Sequence, residues 1–207
     1  IKNEVKKLIF TSSMAVYGEP NSLPVKEDSE LRPLSPYGLS KLRGELYCKI
    51  FQEKYGIDTT VLRYFNTFGV RQTPSDYVGV TTTFINQALD GKSLTVVGNG
   101  KQTRDFVWAK DIARANILAA FSKKSKGEIF NIASGKEIAI NDIADAINKY
   151  MGNRKVYIPK PGGEVSQIRA SVNKADRILG YKPEGDLLKM LPTLINWWKE
   201  QVKHPTK

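Results

Sequence analysis

The chain has one cysteine, Cys48, and one histidine, His204, among its 207 residues. A lone cysteine excludes an internal disulfide and suits a reducing compartment, so a cytoplasmic location is expected. One thiol and one imidazole near the end of the chain are too few ligands for a structural zinc site, and no metal is expected. Long apolar runs are missing as well. The longest, Ile112–Phe121 and Leu191–Trp198, are interrupted by Arg114, Asn116, Thr193 and Asn196. Neither reaches the roughly 20 apolar residues of a membrane span. No charged, then apolar, then small-residue leader opens the chain. Acidic residues are few beside basic ones, 21 against 32, giving a net charge of +11. The lysines are dispersed, with small clusters only at Lys6–Lys7 and Lys123–Lys126, and read as solvated helix faces. Basic residues without a stacked aromatic groove point to no nucleic-acid partner, and no membrane partner is expected.

A hydrophobic content of 41% with charges on periodic segments is that of a globular chain. Lys6–Ser13 is a short apolar run ending in small hydroxyl residues, as a buried parallel strand ends at a site-bearing loop. A Pro- and acid-rich loop follows to Pro36. The spacing then predicts a helix from Tyr37 to about Tyr55, with Leu39, Leu42, Leu46, Ile50 and Phe51 on its apolar face and Gly56 as its stop. Residues 59–64 form the next strand. Further helices are expected over about 80–89, 111–121, 141–150, 175–179 and 187–202, with strands near 94–97, 105–108, 129–132 and 156–158.

No G-x-G-x-x-G or related glycine-rich loop follows a strand anywhere in the chain. Gly98-Asn99-Gly100 has a similar start but precedes no helix. Strand, loop, helix and strand at the beginning therefore predict an α/β fold made of the C-terminal part of a Rossmann-like doubly wound parallel sheet. Residues 1–69 are expected to hold that remaining part. Residues 70–207 are expected to form mainly a smaller α/β substrate-binding domain, with some segments returning to the sheet.

Tyr37 and Lys41 stand four apart on the predicted helix and so project from one face. A free phenol is a poor base at neutral pH, and a nearby ammonium favours its phenolate, so the pair suits general acid/base chemistry. Ser13 lies 24 residues before Tyr37, at a strand end and one crossover away. In open α/β sheets the carboxyl ends of the strands line the ligand crevice.

Four stretches, in this order, carry a family resemblance: Thr11-Ser12-Ser13-Met14-Ala15-Val16-Tyr17-Gly18, Ser35-Pro36-Tyr37-Gly38-Leu39-Ser40-Lys41, Leu62-Arg63-Tyr64-Phe65-Asn66-Thr67-Phe68-Gly69, and Gly98 to Val107. The chain resembles the extended short-chain dehydrogenase/reductase family, specifically its NAD-dependent nucleotide-sugar epimerases, over nearly its whole length. The resemblance implies that Tyr37 takes the proton of a sugar 4-hydroxyl and that Ser13 hydrogen-bonds the same oxygen. Lys41 would hold the nicotinamide ribose of NAD and assist Tyr37. Tyr64 and Phe65 would lie by the nicotinamide. Asn66 and Arg104 would contact the diphosphate of a UDP-sugar, and Glu164 its nucleotide ribose. The implied activity is C4 epimerisation through a transient 4-keto sugar, with NAD retained. The resemblance also implies a homodimer when full length, and a missing N-terminal half without which this chain is inactive.

Met14 and Ala15 occupy places where the related 4,6-dehydratases carry an Asp-Glu pair and the decarboxylases keep a Glu. Two groups that transfer no protons argue for plain epimerisation. Gly69 to Pro74 followed by Tyr77 to Val80 look like the UDP-glucose/UDP-N-acetylglucosamine branch. Departures fall at Pro161, where the family has an Arg and Lys160 is the neighbouring cation, and at Ser171, in place of a common Asp. Ile168 falls near the position facing a 2-acetamido group and leaves glucose against N-acetylglucosamine open. The alternatives are a sugar-nucleotide dehydratase or decarboxylase, or a non-catalytic sugar-nucleotide- or RNA-binding module of the same fold.

Overall fold

The computed structural model describes residues 4–72, 79–159 and 165–203. Strand β1 (Lys7–Ser13) leads through a single 3-10 turn (Met14–Val16) and a long loop into helix α1 (Pro36–Tyr55). The Ser35 hydroxyl caps α1 by accepting from the Gly38 N–H at 3.1 Å, and Pro36 opens it with a φ already suited to a helix. Gly56 ends it at φ 69°, its N–H returning to the Gln52 carbonyl. Strand β2 (Asp58–Tyr64) pairs parallel with β1, Ser13 standing beside Tyr64. Strand β6 (Ile129–Ile132) pairs parallel with the other edge of β2. The order β1-β2-β6 is an α/β sheet, and its second neighbour comes from sequence 65 residues or more beyond β2.

Between β2 and β6 lie β3 (Asn66–Phe68), α2 (Val80–Leu89), β4 (Leu94–Val97), β5 (Thr103–Trp108) and α3 (Ala109–Phe121). After β6 come β7 (Glu137–Ala139), α4 (Ile140–Met151), β8 (Lys155–Ile158), α5 (Asn173–Leu179) and α6 (Leu187–Lys203). Strand β5 pairs parallel with β3 and antiparallel with β7, and β4 pairs parallel with β8. Strands β3 and β7 were not expected. Each is three residues long, too short for a period-2 pattern to be seen.

Two apolar cores result. The first joins Leu62, Phe130 and Ile132 of the three-stranded sheet to Ala115 and Ala119 of α3 and Leu179 of α5. The second packs Phe84 and Ile85 of α2, Ile143 and Ile147 of α4, and Leu191 and Leu194 of α6 over Leu94, Val96 and Phe106. Each Leu, Ile, Val or Phe side chain among them, fully buried, contributes roughly 1.5–3 kcal/mol.

Helix α1 departs from expectation. Of its expected apolar face Leu42 packs against the first core, whereas Leu39, Leu46, Ile50 and Phe51 are exposed, and Gly38, Glu45 and Cys48 are the buried positions. The sheet-facing side is instead defined by a carboxylate seeking a buried partner, Arg63 of β2. No described helix is long and apolar enough to cross a membrane.

Candidate active site

Alternation along β2 decides which groups meet which layer. Thr59 and Arg63 face α1, where they reach the Cys48 carbonyl and Glu45, whereas Thr60 and Tyr64 face the other side and reach Ser125 and Asn116. On β1, Ser12 faces α1 and donates to Glu45 Oε1 at 2.5 Å. Ser13 closes the strand, and its Oγ accepts from the Ala15 N–H at 3.2 Å, capping the turn that follows.

The first turn of α1 lies directly on that turn. A Cβ at Gly38 would stand 2.5 Å from the Ala15 carbonyl oxygen and 3.1 Å from Pro33 Cβ. Only a residue without a side chain permits this approach, and it brings Tyr37 beside Ser13. Both line one cavity of about 610 Å³, with Met14, Tyr64, Phe65, Asn66, Gln72, Thr81 and Phe106 among its other walls. Tyr37 is 53% exposed. Lys41 Nζ donates to the Thr11 carbonyl at 2.9 Å and stands 5.6 Å from the centroids of both the Tyr37 and Phe10 rings. An ammonium has three donors, so two of its N–H groups remain for hydroxyl or carbonyl acceptors at this edge.

Asn66 belongs to two cavities. Its Nδ2 lies 3.4 Å from Met14 Sδ and 3.3 Å from the Asp105 carbonyl. The second cavity, about 230 Å³, is lined by Asn66, Val80, Phe84, Thr95, Val97, Gln102, Arg104 and Ile140. Arg104 therefore stands apart from Tyr37, across Asn66. One of its guanidinium N–H groups holds the Thr103 carbonyl at 2.8 Å. Its neighbour Asp105 is fully buried, and burial pushes that carboxyl up against four donors: Ser134 N and Oγ, Gly135 N and Ala170 N. A larger cavity, about 810 Å³, between residues 19–23, 98–102 and 166–167, holds none of the expected site residues.

Of the residues singled out from sequence, Ser13, Tyr37, Tyr64, Phe65 and Asn66 share the first cavity and Arg104 lines the second, whereas Lys41 lines neither and stands 5.6 Å from the centroid of the Tyr37 ring. Tyr64 is tethered through its hydroxyl to Asn116 Nδ2 at 2.6 Å. Phe65 is buried, its ring 6.4 Å from that of Tyr17. Glu164, Lys160 and Pro161 lie outside the described residues, as do Tyr77 and His204. Ile168 is buried in the first core rather than standing at a cavity wall, because the chain around it pairs with Thr103 and Val25. Sequence reasoning missed Glu45 and Gln102. The signal for Glu45 was an acid four residues past Lys41 with an arginine between Leu62 and Tyr64 near the end of a strand. Gln102, whose side chain donates to the Val97 carbonyl, offered none beyond its place in a matching stretch.

The described residues contain no cluster of His, Cys, Asp and Glu able to hold a metal. Burial, then the nearby Glu45 carboxylate, push the Cys48 thiol up, which keeps it protonated and unreactive.

A strand-end hydroxyl and an exposed phenol share a cavity at the carboxyl edge of a parallel sheet, with an ammonium close by, where open α/β folds bind their ligands. Residues 1–133 match the NAD dependent epimerase/dehydratase family, and the chain belongs to that family. It is 44% identical over 201 residues to a putative UDP-glucose 4-epimerase of Methanocaldococcus jannaschii, covering 96% of this chain and 65% of the relative. Among solved structures it is similar to the UDP-N-acetylglucosamine 4-epimerase of Methanobrevibacter ruminantium in complex with UDP-N-acetylmuramic acid. That likeness has a TM-score of 0.89 and 38% identity, over 97% of this chain and 65% of the other. The UDP-glucuronic acid 4-epimerase of Bacillus cereus, solved with UDP-glucuronic acid and NAD, gives a TM-score of 0.87 and 36% identity, over 94% and 62%. The chain thus spans a little under two thirds of the length of these relatives.

Proposed function

We propose that the protein to which this chain belongs interconverts the C4 epimers of a UDP-sugar, UDP-glucose or UDP-N-acetylglucosamine, with NAD as retained cofactor. The observation that carries this reading is the close seat of α1 on the turn after β1, which places Ser13 and Tyr37 on one cavity wall. The donor set beside the cavity fits the nicotinamide end of NAD: Lys41 offers N–H groups to the ribose, with Tyr64 and Phe65 as ring-bearing walls. NAD supplies the reversible oxidation of a sugar carbon when bound.

The chain's own residues handle protons and orientation. The Tyr37 phenol oxygen takes the proton from the sugar 4-hydroxyl, and Ser13 Oγ hydrogen-bonds the same oxygen as its C–O bond order changes. Lys41, its ammonium 5.6 Å from the centroid of the Tyr37 ring, supplies positive charge beside the reacting phenol. Arg104 and Asn66, in the adjoining cavity, hold the diphosphate, for which a guanidinium's planar donors are suited. Anchored by its UDP end, the sugar would be free to turn in the cavity, and Tyr37 would return the proton to the same oxygen. Glu164 is assigned to the nucleotide ribose by family resemblance alone. We assign residues 1–69 to the cofactor-binding domain and residues 70–207 mainly to the substrate-binding one. Because the chain has no glycine-rich loop, we assign the dinucleotide pyrophosphate to the part of the complete protein that this chain does not span. The exposed stripe Leu39, Leu46, Tyr47 and Ile50 on α1 supports a homodimer of the complete protein.

Epimerisation is preferred over dehydration or decarboxylation because none of the described residues lining the first cavity is a carboxylate. Elimination of water or CO₂ calls for a further acid or base there. The test joins this chain to the remaining part of the protein and assays both UDP-sugars with NAD. Epimer formation is expected from the complete protein and not from the 207 residues alone. In the complete protein Tyr37→Phe is expected to lower turnover by about a hundred- to ten-thousand-fold, the range of general acid/base groups. A stable keto-sugar, CO₂ release, or wild-type turnover by Tyr37→Phe would overturn the reading.

A further inference from the structure

A single buried guanidinium joins the segments that carry the proposed proton-transfer residues. Arg63, 1% exposed, meets Glu45 with both arms, Nε to Oε1 at 2.9 Å and Nη2 to Oε2 at 2.7 Å. Its third nitrogen, Nη1, donates to the Tyr17 hydroxyl at 2.8 Å and to the Glu27 carbonyl at 2.9 Å. The Tyr17 hydroxyl in turn donates to Asn131 Oδ1 at 2.6 Å, reaching β6. Glu45 Oε1 also accepts from Ser12, the residue before Ser13. The network therefore touches the residue before Ser13, the turn after it, the helix of Tyr37 and Lys41, and the strand leading into Tyr64–Asn66.

Elsewhere α1 meets the sheet through Leu42 at the first core, the close seat of Gly44 on the Phe10 ring, Lys41 on the Thr11 carbonyl, and Gln52 and the Cys48 carbonyl on Thr59. Its buried positions are Gly38, Glu45 and Cys48, and its large apolar side chains at 39, 46, 47, 50, 51 and 55 are exposed. An apolar contact can slide by a fraction of a residue at little cost, whereas a two-armed guanidinium–carboxylate pair has one geometry. Glu45 follows Lys41 by four residues and Tyr37 by eight, so one helix face carries all three. Its pairing sets the rotation and axial position of the face that presents the phenol and the ammonium.

We infer that Glu45 and Arg63 are positioning residues that hold Tyr37 and Lys41 in register with Ser13. This rests on the acid/base reading proposed above. A pair that only stabilised the fold would be replaceable, since exchanging a buried ion pair for apolar side chains of similar volume is often neutral or stabilising. A positioning pair is not replaceable in that way, because the apolar version packs without fixing direction.

The experiment compares the complete NAD-loaded protein with Glu45→Gln, Glu45→Asp and the double variant Glu45→Met/Arg63→Met. Melting temperature, kcat and KM for the UDP-sugar, and amide hydrogen exchange of residues 36–45 are measured for each. The double variant is expected to melt within a few degrees of wild type yet to lose about 30- to 100-fold in kcat, since a misplacement of about an ångström costs the chemical step roughly a hundredfold. Its KM should stay within about threefold, because the UDP end is held elsewhere. Exchange over 36–45 should rise while that of α4 is unchanged, and Glu45→Asp should recover part of the lost kcat. A double variant with wild-type melting and wild-type kcat makes the pair merely structural and overturns the inference, as does a loss confined to KM. Should the wild-type protein epimerise no UDP-sugar, the functional reading fails on its own. Hydrogen exchange then decides, and unchanged exchange over 36–45 in the folded double variant overturns the positioning role.

Discussion

Helices α1 and α4 meet their sheets in opposite ways. Helix α4 buries Ile140, Ile143, Ala144 and Ile147 along one stripe, against Leu94, Val96 and the side chains of α2 and α6. Helix α1, longer by eight residues, buries a glycine, a carboxylate and a cysteine and leaves Leu46 54% and Tyr47 64% exposed. Apolar contact holds α4 and tolerates small shifts. Directed charge holds α1 and does not. The comparison teaches that two helices can each lie on a sheet and yet be held by different interactions, one by an apolar stripe and the other by a buried ion pair.

The sharpest way to break this comparison is to remove one partner of the α1 anchor. Arg63→Met leaves Glu45 buried without its cation, and a loss of about 3–5 kcal/mol is expected, read from denaturant unfolding of this chain. A loss below about 1 kcal/mol would mean that apolar contacts hold α1 after all. In the α4 region, Ile147→Ala should cost about 2–5 kcal/mol through lost transfer energy and an unfilled cavity. The same unfolding measurement checks it.

Alkaline pH separates the regions by a smaller margin. Burial pushes the Tyr17 phenol up from its ordinary 10 to about 12, against the pull of the Arg63 guanidinium. The folded chain thus holds this proton more tightly than the unfolded one. Stability from this group is complete below pH 10 and is lost as pH rises towards 12, a decline of about 2–3 kcal/mol by linkage. Tyr17→Phe should flatten that part of the pH profile, and an unaltered profile would assign the decline to other groups. The smallest effect is expected at the exposed stripe. Leu46→Ala should change the stability of this chain by no more than about 0.5 kcal/mol, as surface substitutions do. In the complete protein the same substitution should weaken self-association, measured by sedimentation, if α1 pairs with a second copy there.

Much of the α1 region is legible in its residues alone. The Gly56 stop and the Tyr37–Lys41 spacing are local signals, and each is read over a single turn. The apolar positions at 39, 42, 46 and 50 are legible too, but not the surface they face. A helix with an apolar stripe and a buried acid on different sides offers two faces to a sheet, and only the partner's side chains select one. Arg63 stands between Leu62 and Tyr64 near the end of its strand, so periodicity alone gives it no partner. The placement of Gly38 against the Ala15 carbonyl belongs to two segments that are 23 residues apart, and no local rule announces it.

By itself the sequence determined the order and type of the long elements, the Gly56 stop of α1, the shared helix face of Tyr37 and Lys41, and the place of Ser13 at a strand end. These follow from hydrogen bonds and side-chain periods that close within a few residues. Tertiary structure alone decided that Asn66 stands between the cavity of Ser13 and Tyr37 and the one holding Arg104, and that α1 buries Glu45 against Arg63 while Leu39 and Leu46 stay exposed. Those outcomes depend on contacts between residues distant in sequence. A buried guanidinium must find its carboxylate wherever the chain can bring one, and the chain's path to it is fixed only when the whole sheet has formed.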